Sequence, residues 1–118
     1  MNDSFNLILS NKEIVIRILI SIIIGGMIGY ERGVHNRPAG FRTHILVCLG
    51  ACVVSIVQDQ LRVNIINFTL IHPEVSQVMK TDLGRIGAQV VSGIGFLGAG
   101  TIMREKGTIG GLTTAASI

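Results

Sequence analysis

Three glycines in the segment 84–102 have the spacing of a dinucleotide-binding fingerprint. Gly93, Gly95 and Gly98 follow the pattern G-x-G-x-x-G, which lets a backbone approach a pyrophosphate when a strand precedes it and an amphipathic helix follows. The segment is apolar on all sides. The dinucleotide-binding fold requires an acidic residue about 20 positions after the glycines, whereas Glu105 follows Gly98 after only seven residues. No Gly-Lys-Ser/Thr sequence follows that would make a P-loop. We therefore predict no nucleotide site here.

Metal chemistry would depend on His44, Cys48 and Cys52, which recur at intervals of four and share one face of a helix. One imidazole and two thiols on one helix do not enclose a tetrahedral site without ligands from elsewhere. Magnesium prefers carboxylate and water oxygens, and the apolar segments defined below contain no Asp or Glu between their ends. We predict no metal site, no cofactor and no catalytic centre, and small apolar packing for both cysteines.

A charged segment, residues 31–44, surrounds the turn sequence Pro-Ala-Gly. Glu31 follows an apolar run, at a helix C-terminus where the macrodipole disfavours an anion, so a cationic partner is expected nearby. One interpretation makes the charges solvated residues at headgroup level that set orientation. The other makes Glu31 and Arg42 a buried ion pair at the mouth of a helix bundle.

The composition indicates which elements position these residues. The chain is 48% hydrophobic and 14% charged, with a mean hydropathy of +0.60, whereas a soluble domain carries about 25% charged residues. Lipid is therefore expected to face much of the chain. A net charge of +3 with 4% aromatic residues gives little support to nucleic-acid binding.

The apolar runs predict an all-α fold, a polytopic membrane helical bundle in a single domain. We predict three complete spans and the start of a fourth, at residues 14–30, 41–58, 86–103 and 109–118. A secretory signal peptide is the alternative for the first run, but no small-x-small cleavage site follows it.

Small residues recur at spacings of three and four in the first and third spans, which lets helix backbones approach closely in lipid. The stripe in the third span could face the first span or the same span of a second copy. The residues predicted to pack helices are Gly25, Gly29, Ala88, Ser92, Gly93, Gly95, Gly98, Ala99 and Gly100.

The Lys and Arg residues divide five and five between the two sides of this topology. Those in the loops 31–44 and 104–106 are the more densely placed near span ends, where the positive-inside rule acts most strongly. We therefore predict that these loops are cytoplasmic and that the N-terminus is external.

Four sequence motifs, in this order, resemble the membrane domain of the MgtC/SapB family. They are Gly-Tyr-Glu-Arg at 29–32, Pro-Ala-Gly-Phe-Arg-Thr-His at 38–44, Val-Ser-Gly-Ile-Gly-Phe-Leu-Gly-Ala-Gly at 91–100 and Gly-Leu-Thr-Thr-Ala-Ala at 111–116. The resemblance implies a bacterial inner-membrane protein linked to growth at low magnesium and to virulence, with a regulatory role that includes restraint of the ATP synthase. It also implies a functional charged motif of Glu31, Arg32, Arg42, Thr43, Asp82 and Arg85.

Two functions are consistent with these residues. The first is a regulator that docks on another membrane protein, or on a second copy, through its small-residue faces. The second is a subunit of an ion transporter or channel, with a polar path that uses Glu31, Arg42, Gln89, Thr113 and Thr114. Ion flux in liposomes would distinguish them.

Overall fold

The computed structural model describes residues 9–75, 77, 84–105 and 107–118. These ranges are mostly helical, as the sequence predicts. The elements are helices α1 (Asn11–Val34), α2 (Phe41–Ile71), α3 (Arg85–Thr101) and α4 (Leu112–Ser117), a 3-10 turn at Pro73–Val75, and antiparallel strands β1 (Met103–Glu105) and β2 (Thr108–Gly110).

A tight turn joins α1 to α2 and makes them antiparallel neighbours. The Arg37 N–H donates to the Arg32 carbonyl at 3.0 Å and the Asn36 N–H donates to the Gly33 carbonyl at 3.1 Å, which is the hydrogen-bond pattern of a Schellman motif. Asn36 has φ +49°, a left-handed conformation that asparagine tolerates better than most residues. Pro38 then prevents the helix from continuing.

Helix α2 is longer than predicted, because it continues through residues 59–71 instead of ending at residue 58. This stretch contains neither Gly nor Pro, and its polar residues have helical spacing, as the ion pair from Arg62 to Asp59 at 3.0 Å shows. The helix ends shortly before Pro73, since the residue preceding a proline is disfavoured in the helical conformation. Because residues 59–71 mix polar and apolar side chains, the sequence predicted a connection between spans where the structure has a helix.

Helix α3 and the segment after it also differ from the prediction. Helix α3 ends at Thr101 rather than at residue 103, and Ile109, which was predicted in the fourth span, lies in β2. Helix α4 begins only at Leu112, after Gly111 with φ +85°. A Cβ at Gly111 would overlap the Thr101 carbonyl, so this turn requires glycine and separates the hairpin from α4.

Two of the helices, α1 and α2, are long and apolar enough to cross a bilayer. Helix α3 has 17 residues and is therefore about 25 Å long, which is shorter than the roughly 30 Å of bilayer hydrocarbon. Helix α4 has six residues. The structure thus supports two spans by length, and the count of three complete spans and a fourth stays a prediction.

The helices form a thin layer with little interior. The molecule measures 63 × 31 × 16 Å, and its smallest dimension is not much more than one helix diameter. Val63 is the one apolar residue that is buried among those described, while Phe96 is 83% and Leu46 is 68% exposed. These apolar surfaces therefore face lipid or another protein rather than a core.

Candidate functional site

The hydroxyl of Thr114 joins α4 to the turn between α1 and α2. Thr114 is 1% exposed, and the Arg32 guanidinium donates to its Oγ1 at 2.5 Å. The same Oγ1 donates to the Pro38 carbonyl at 3.3 Å. Because Arg32 and Pro38 lie more than 70 positions from Thr114 in the sequence, this contact determines where α4 sits.

A buried histidine makes a second connection between α2 and α4. His44 is 2% exposed, its Nδ1 lies 2.9 Å from the Gly40 carbonyl and its Nε2 lies 3.0 Å from Ser117 Oγ. A carbonyl oxygen only accepts, so Nδ1 carries a proton and both ring nitrogens are engaged. Together Arg32, His44, Thr114 and Ser117 form what we call the polar cluster.

The His44–Ser117 separation matches that of a catalytic base and nucleophile. However, His44 is 2% exposed, and the Ser117 hydroxyl also donates to the Thr114 carbonyl at 2.9 Å. Both groups are therefore engaged in contacts within the fold, and the arrangement connects α2 to α4.

A small polar cavity lies beside the polar cluster, at the C-terminus of α1. We call it the Glu31 pocket. Its volume is about 180 Å³, and its lining residues are Glu31, Arg32, His35, Arg37 and Thr113. The Schellman turn brings the side chains from residues 31–37 to this cavity, and α4 closes it through Thr113.

The predicted ion pair between Glu31 and Arg42 is not among the ion pairs of the described residues, and both residues are exposed. The reason is helical geometry. Phe41 packs against Gly29, and a helix rotates about 100° per residue, so Arg42 turns away from α1 and Glu31, two residues after Gly29, turns away from α2. Exposure at the start of a helix supports the solvated interpretation for Arg42.

The other residues of the predicted charged motif do not converge on this point. Thr43 is exposed in the first turn of α2, and Arg85 is exposed at the first residue of α3. Asp82 lies outside the described residues. Arg32 is thus the member of the motif that the polar cluster contains, and sequence reasoning identified neither its bond to Thr114 nor the bond between His44 and Ser117.

The glycines of α1 lie against the backbone of α2. A Cβ at Gly25 would lie 2.8 Å from the His44 carbonyl oxygen, and a Cβ at Gly29 would lie 2.6 Å from the Phe41 Cα. Real Cβ atoms are not found so close to backbone atoms, so only glycine permits this helix separation. The first two turns of α2 are held against α1 in this way.

The small residues of α3 have different surroundings. Gly98 is buried, with its missing Cβ 3.5 Å from the Ala115 carbonyl oxygen of α4. A Cβ at Gly93, Gly95 or Gly100 would meet nothing within 4 Å. The other predicted packing positions of this helix are exposed, and these are Ala88, Ser92 and Ala99. Neither α1 nor α4 covers this face within the described chain.

An ionic group connects the two long helices near the start of α1. The Arg17 guanidinium lies 2.7 Å from Asp59, whose other carboxylate oxygen lies 3.0 Å from Arg62. Asp59 lies one residue beyond the predicted second span, and it belongs to α2 because the helix continues to Ile71. The signal that could have revealed this group is the Asp-x-x-Arg spacing in a stretch without helix breakers.

The predicted polar path is divided between separate places. Thr114 is buried in the polar cluster and Thr113 lines the Glu31 pocket. Gln89 is exposed on α3, nine residues before the contact at Gly98 and therefore about 14 Å away along the helix. Within the described part of the chain, no three His, Cys, Asp or Glu residues are grouped so that they could hold a metal ion.

Comparison with known proteins shows relatives along most of the chain. Protein SapB of Bacillus subtilis is 37% identical over 109 residues, covering 92% of this chain and 44% of SapB. YhiD of Escherichia coli K12, named as a candidate magnesium transporter, is 38% identical over 106 residues, covering 90% of this chain and 46% of YhiD. Protein MgtC of Salmonella typhimurium is 40% identical over 104 residues, covering 88% of this chain and 38% of MgtC.

This chain spans less than half the length of each of these relatives. No solved structure matches it. Two helices of membrane-spanning length and composition indicate a membrane protein. The description of the MgtC family matches residues 18–118, and the chain therefore belongs to the MgtC family.

Proposed function

We propose that this domain is a regulator of the bacterial inner membrane that acts by docking on another membrane protein during adaptation to low magnesium, and that it has no enzymatic activity. The observation that carries the proposal is the open face of α3, where the missing Cβ of Gly95 meets nothing within 4 Å. In lipid, such a face gains energy only by packing closely on another helix.

The polar groups near α4 support the same interpretation. Arg32, His44 and Thr114 donate or accept hydrogen bonds between helices, so they hold the domain together. The apolar surface and the small residues of α3 remain available for packing on another helix. The ATP synthase is a candidate partner through family resemblance, and a second copy of this chain is the other.

Crosslinking tests the docking face. Ala88 and Ala99 lie on the open face, whereas Leu97 lies roughly 180° around the helix from it. In a protein whose Cys48 and Cys52 are replaced by alanine, Ala88→Cys and Ala99→Cys should give crosslinks to a partner chain in membranes, and Leu97→Cys should not. Equal crosslinking from all three positions would contradict a defined docking face.

Complementation connects the docking face to physiology. A strain that lacks its own protein of this family should grow at low magnesium, or survive inside host cells, when it carries the parent sequence but not Gly95→Leu. Growth of the Gly95→Leu strain at the parental rate would show that the open face is not needed for this function.

The second candidate function is a subunit of a magnesium transporter or channel. The observation that favours it is the group Arg17, Asp59 and Arg62, because charges within membrane helices commonly mark ion or proton pathways. Purified protein in liposomes that contain a magnesium-sensitive dye provides the test. Flux that is saturable and lost in Asp59→Asn would support transport and contradict a purely regulatory role.

We also propose that the turn at residues 35–40 is cytoplasmic and that the N-terminus is external, on the basis of the basic residues near the turn. In the cysteine-free protein, Asn36→Cys should be labelled by a membrane-impermeant maleimide only after the cells are opened. Labelling of Asn36→Cys in intact cells would show that the turn is external and that the proposed orientation is wrong.

A further inference from the structure

The Glu31 pocket contains charges of both signs that do not pair with one another. Glu31, Arg32 and Arg37 line the same cavity, yet no ion pair among the described residues joins Glu31 to either arginine. An arginine and a carboxylate at hydrogen-bond distance make one of the stronger side-chain contacts, and this contact is missing here among the described residues. Their separation by a cavity of about 180 Å³ leaves space for a ligand of a few heavy atoms between them.

Hydrogen bonds within the protein hold the walls of this pocket in place. Arg32 Nη2 donates to Thr114 and Pro38, which orients its guanidinium plane, while Nη1 has no hydrogen bond to the described residues. The His35 Nδ1 lies 2.9 Å from the Glu31 carbonyl and must donate to it, so Nε2 is the ring nitrogen that remains for a ligand. Arg32 and His35 are therefore preorganised, whereas the side chains of Glu31 and Arg37 are exposed.

The charges in the pocket select the kind of ligand. Two guanidiniums provide planar, paired donors of the type that binds phosphate. The carboxylate of Glu31 would repel a simple phosphate, and the negative end of the α1 macrodipole adds to that repulsion. A simple cation would in turn be repelled by the two arginines. A ligand with a phosphate and an ammonium a few bonds apart satisfies both sides.

We infer that the Glu31 pocket binds the headgroup of a zwitterionic phospholipid that carries a phosphate and a primary ammonium. In this arrangement Arg32 and Arg37 donate to the phosphate, and the ammonium donates to the Glu31 carboxylate. Thr113 of α4 lines the same cavity. The site lies at the end of α1, a helix of membrane-spanning length, so the phosphate sits at headgroup depth and the acyl chains can extend along exposed apolar residues of α1 such as Met27.

This site goes beyond the proposed regulation, because it depends only on the chain lying in a bilayer. It also connects lipid to the rest of the fold. Arg32 belongs to both the pocket and the polar cluster, and Thr113 directly precedes Thr114, so an occupied pocket would stabilise the docking of α4 on the α1–α2 turn.

Native mass spectrometry of the purified protein, titrated with phosphatidylethanolamine, phosphatidylglycerol and phosphatidylcholine of equal chain length, tests the inference. Phosphatidylethanolamine should bind roughly ten times more tightly than phosphatidylglycerol, which lacks the ammonium, and more tightly than phosphatidylcholine, whose ammonium has no proton to donate. Equal binding of the three lipids would overturn the assignment.

Three variants make the test specific. Glu31→Gln should reverse the preference in favour of phosphatidylglycerol, because the basic side chains remain and the carboxylate does not. Arg37→Gln should weaken the binding of both phosphatidylethanolamine and phosphatidylglycerol by roughly ten- to hundredfold. Arg42→Gln is the matched control, since this exposed arginine lies near the same turn but does not line the pocket. It should leave the preference for phosphatidylethanolamine unchanged.

The outcomes also separate a lipid from a soluble ligand. Phosphoethanolamine without acyl chains should displace the lipid only at much higher concentration, and inorganic phosphate should not displace it. If soluble phosphoethanolamine binds as tightly as the lipid, the lipid assignment is wrong.

Circular dichroism provides the check on folding. Arg37→Gln tests the pocket even if Glu31→Gln fails to fold, because Arg37 is exposed and its side chain forms no hydrogen bond with the described residues. A loss of preference in Arg42→Gln equal to that in Arg37→Gln would reduce the effect to general headgroup electrostatics and refute the site.

Discussion

The small residues of α1 and those of α3 follow similar spacings but meet different surroundings. A Cβ at Gly29 would lie 2.6 Å from the Phe41 Cα, whereas a Cβ at Gly95 would meet nothing within 4 Å. The difference comes from the connections. The short Schellman turn forces α2 to lie beside α1. By contrast, neither α1 nor α4 covers the Gly95 face of α3 within the described chain. Small-residue spacing therefore identifies a face that permits close approach, and the chain path decides whether the same molecule provides the neighbour.

The largest effect is expected at the closed face. Gly29→Leu should lower the free energy of unfolding by about 3 kcal/mol, at the upper end of the usual overpacking range, because the new side chain meets backbone that cannot move aside. Unfolding in mixed detergent micelles, followed by circular dichroism, measures the change. Gly33→Leu is the control, one helical turn later in α1 and with nothing within 4 Å of its Cβ. If the two variants have equal stability, the close packing of α1 on α2 is wrong.

The ionic group at the other end of the same helix pair should have the next largest effect. Asp59→Asn leaves Arg17 and Arg62 without their shared anion and should lower the free energy of unfolding by more than the loss of an isolated exposed pair does, because two cations lose one partner. The same unfolding measurement applies. Glu74→Gln removes the carboxylate that faces His72 on the exposed 3-10 turn and should change stability by less than about 1 kcal/mol. A loss in Glu74→Gln as large as that in Asp59→Asn would show that the Asp59 group has no special role.

Hydrogen bonds from Arg32, His44 and Thr114 contribute to the attachment of α4, and the loss of one of them should have a smaller effect. Thr114→Val keeps the shape but removes the acceptor for Arg32 and the donor to Pro38, so a loss of roughly 1 to 2 kcal/mol is expected. Hydrogen exchange of the α4 amides should increase in parallel. Thr113→Val, one residue earlier and exposed, should leave both stability and exchange near the parent values. Unchanged exchange in Thr114→Val would mean that this hydroxyl does not hold α4.

The smallest effect on stability is expected at the open face. Gly95→Leu should change the free energy of unfolding by no more than about 0.5 kcal/mol, because a Cβ at this position meets nothing within 4 Å among the described residues. It should instead abolish crosslinking from Ala88→Cys and Ala99→Cys. Gly93→Leu is the matched control, since it is equally open but lies on another side of α3. Strong destabilisation of the isolated protein by Gly95→Leu would mean that the Gly95 face of α3 packs within the molecule after all.

The sequence predictions were more accurate for features set by neighbouring residues than for features set by contacts between distant residues. The start of α2 at Phe41 and the helical character of most described residues could be predicted, because apolar runs and the Pro-Ala-Gly turn are local signals. The extension of α2 to Ile71 was missed, since residues 59–71 mix polar and apolar side chains and their helix is supported by ion pairs within the turn. The hairpin before α4 was missed because its strands have three residues each, too few to show an alternating pattern.

The site depended more on tertiary structure. The sequence by itself determined that two long apolar helices form, that a tight basic turn joins them and that small residues line one face of each of α1 and α3, because hydrophobic run length and helical spacing are properties of neighbouring residues. Only the tertiary structure decided that Arg32 bonds to Thr114 instead of an acidic partner, that His44 bonds to Ser117, and that Glu31 and Arg42 point apart. These contacts join residues more than 70 positions apart or depend on the rotation of one helix against another, and no local pattern carries that information.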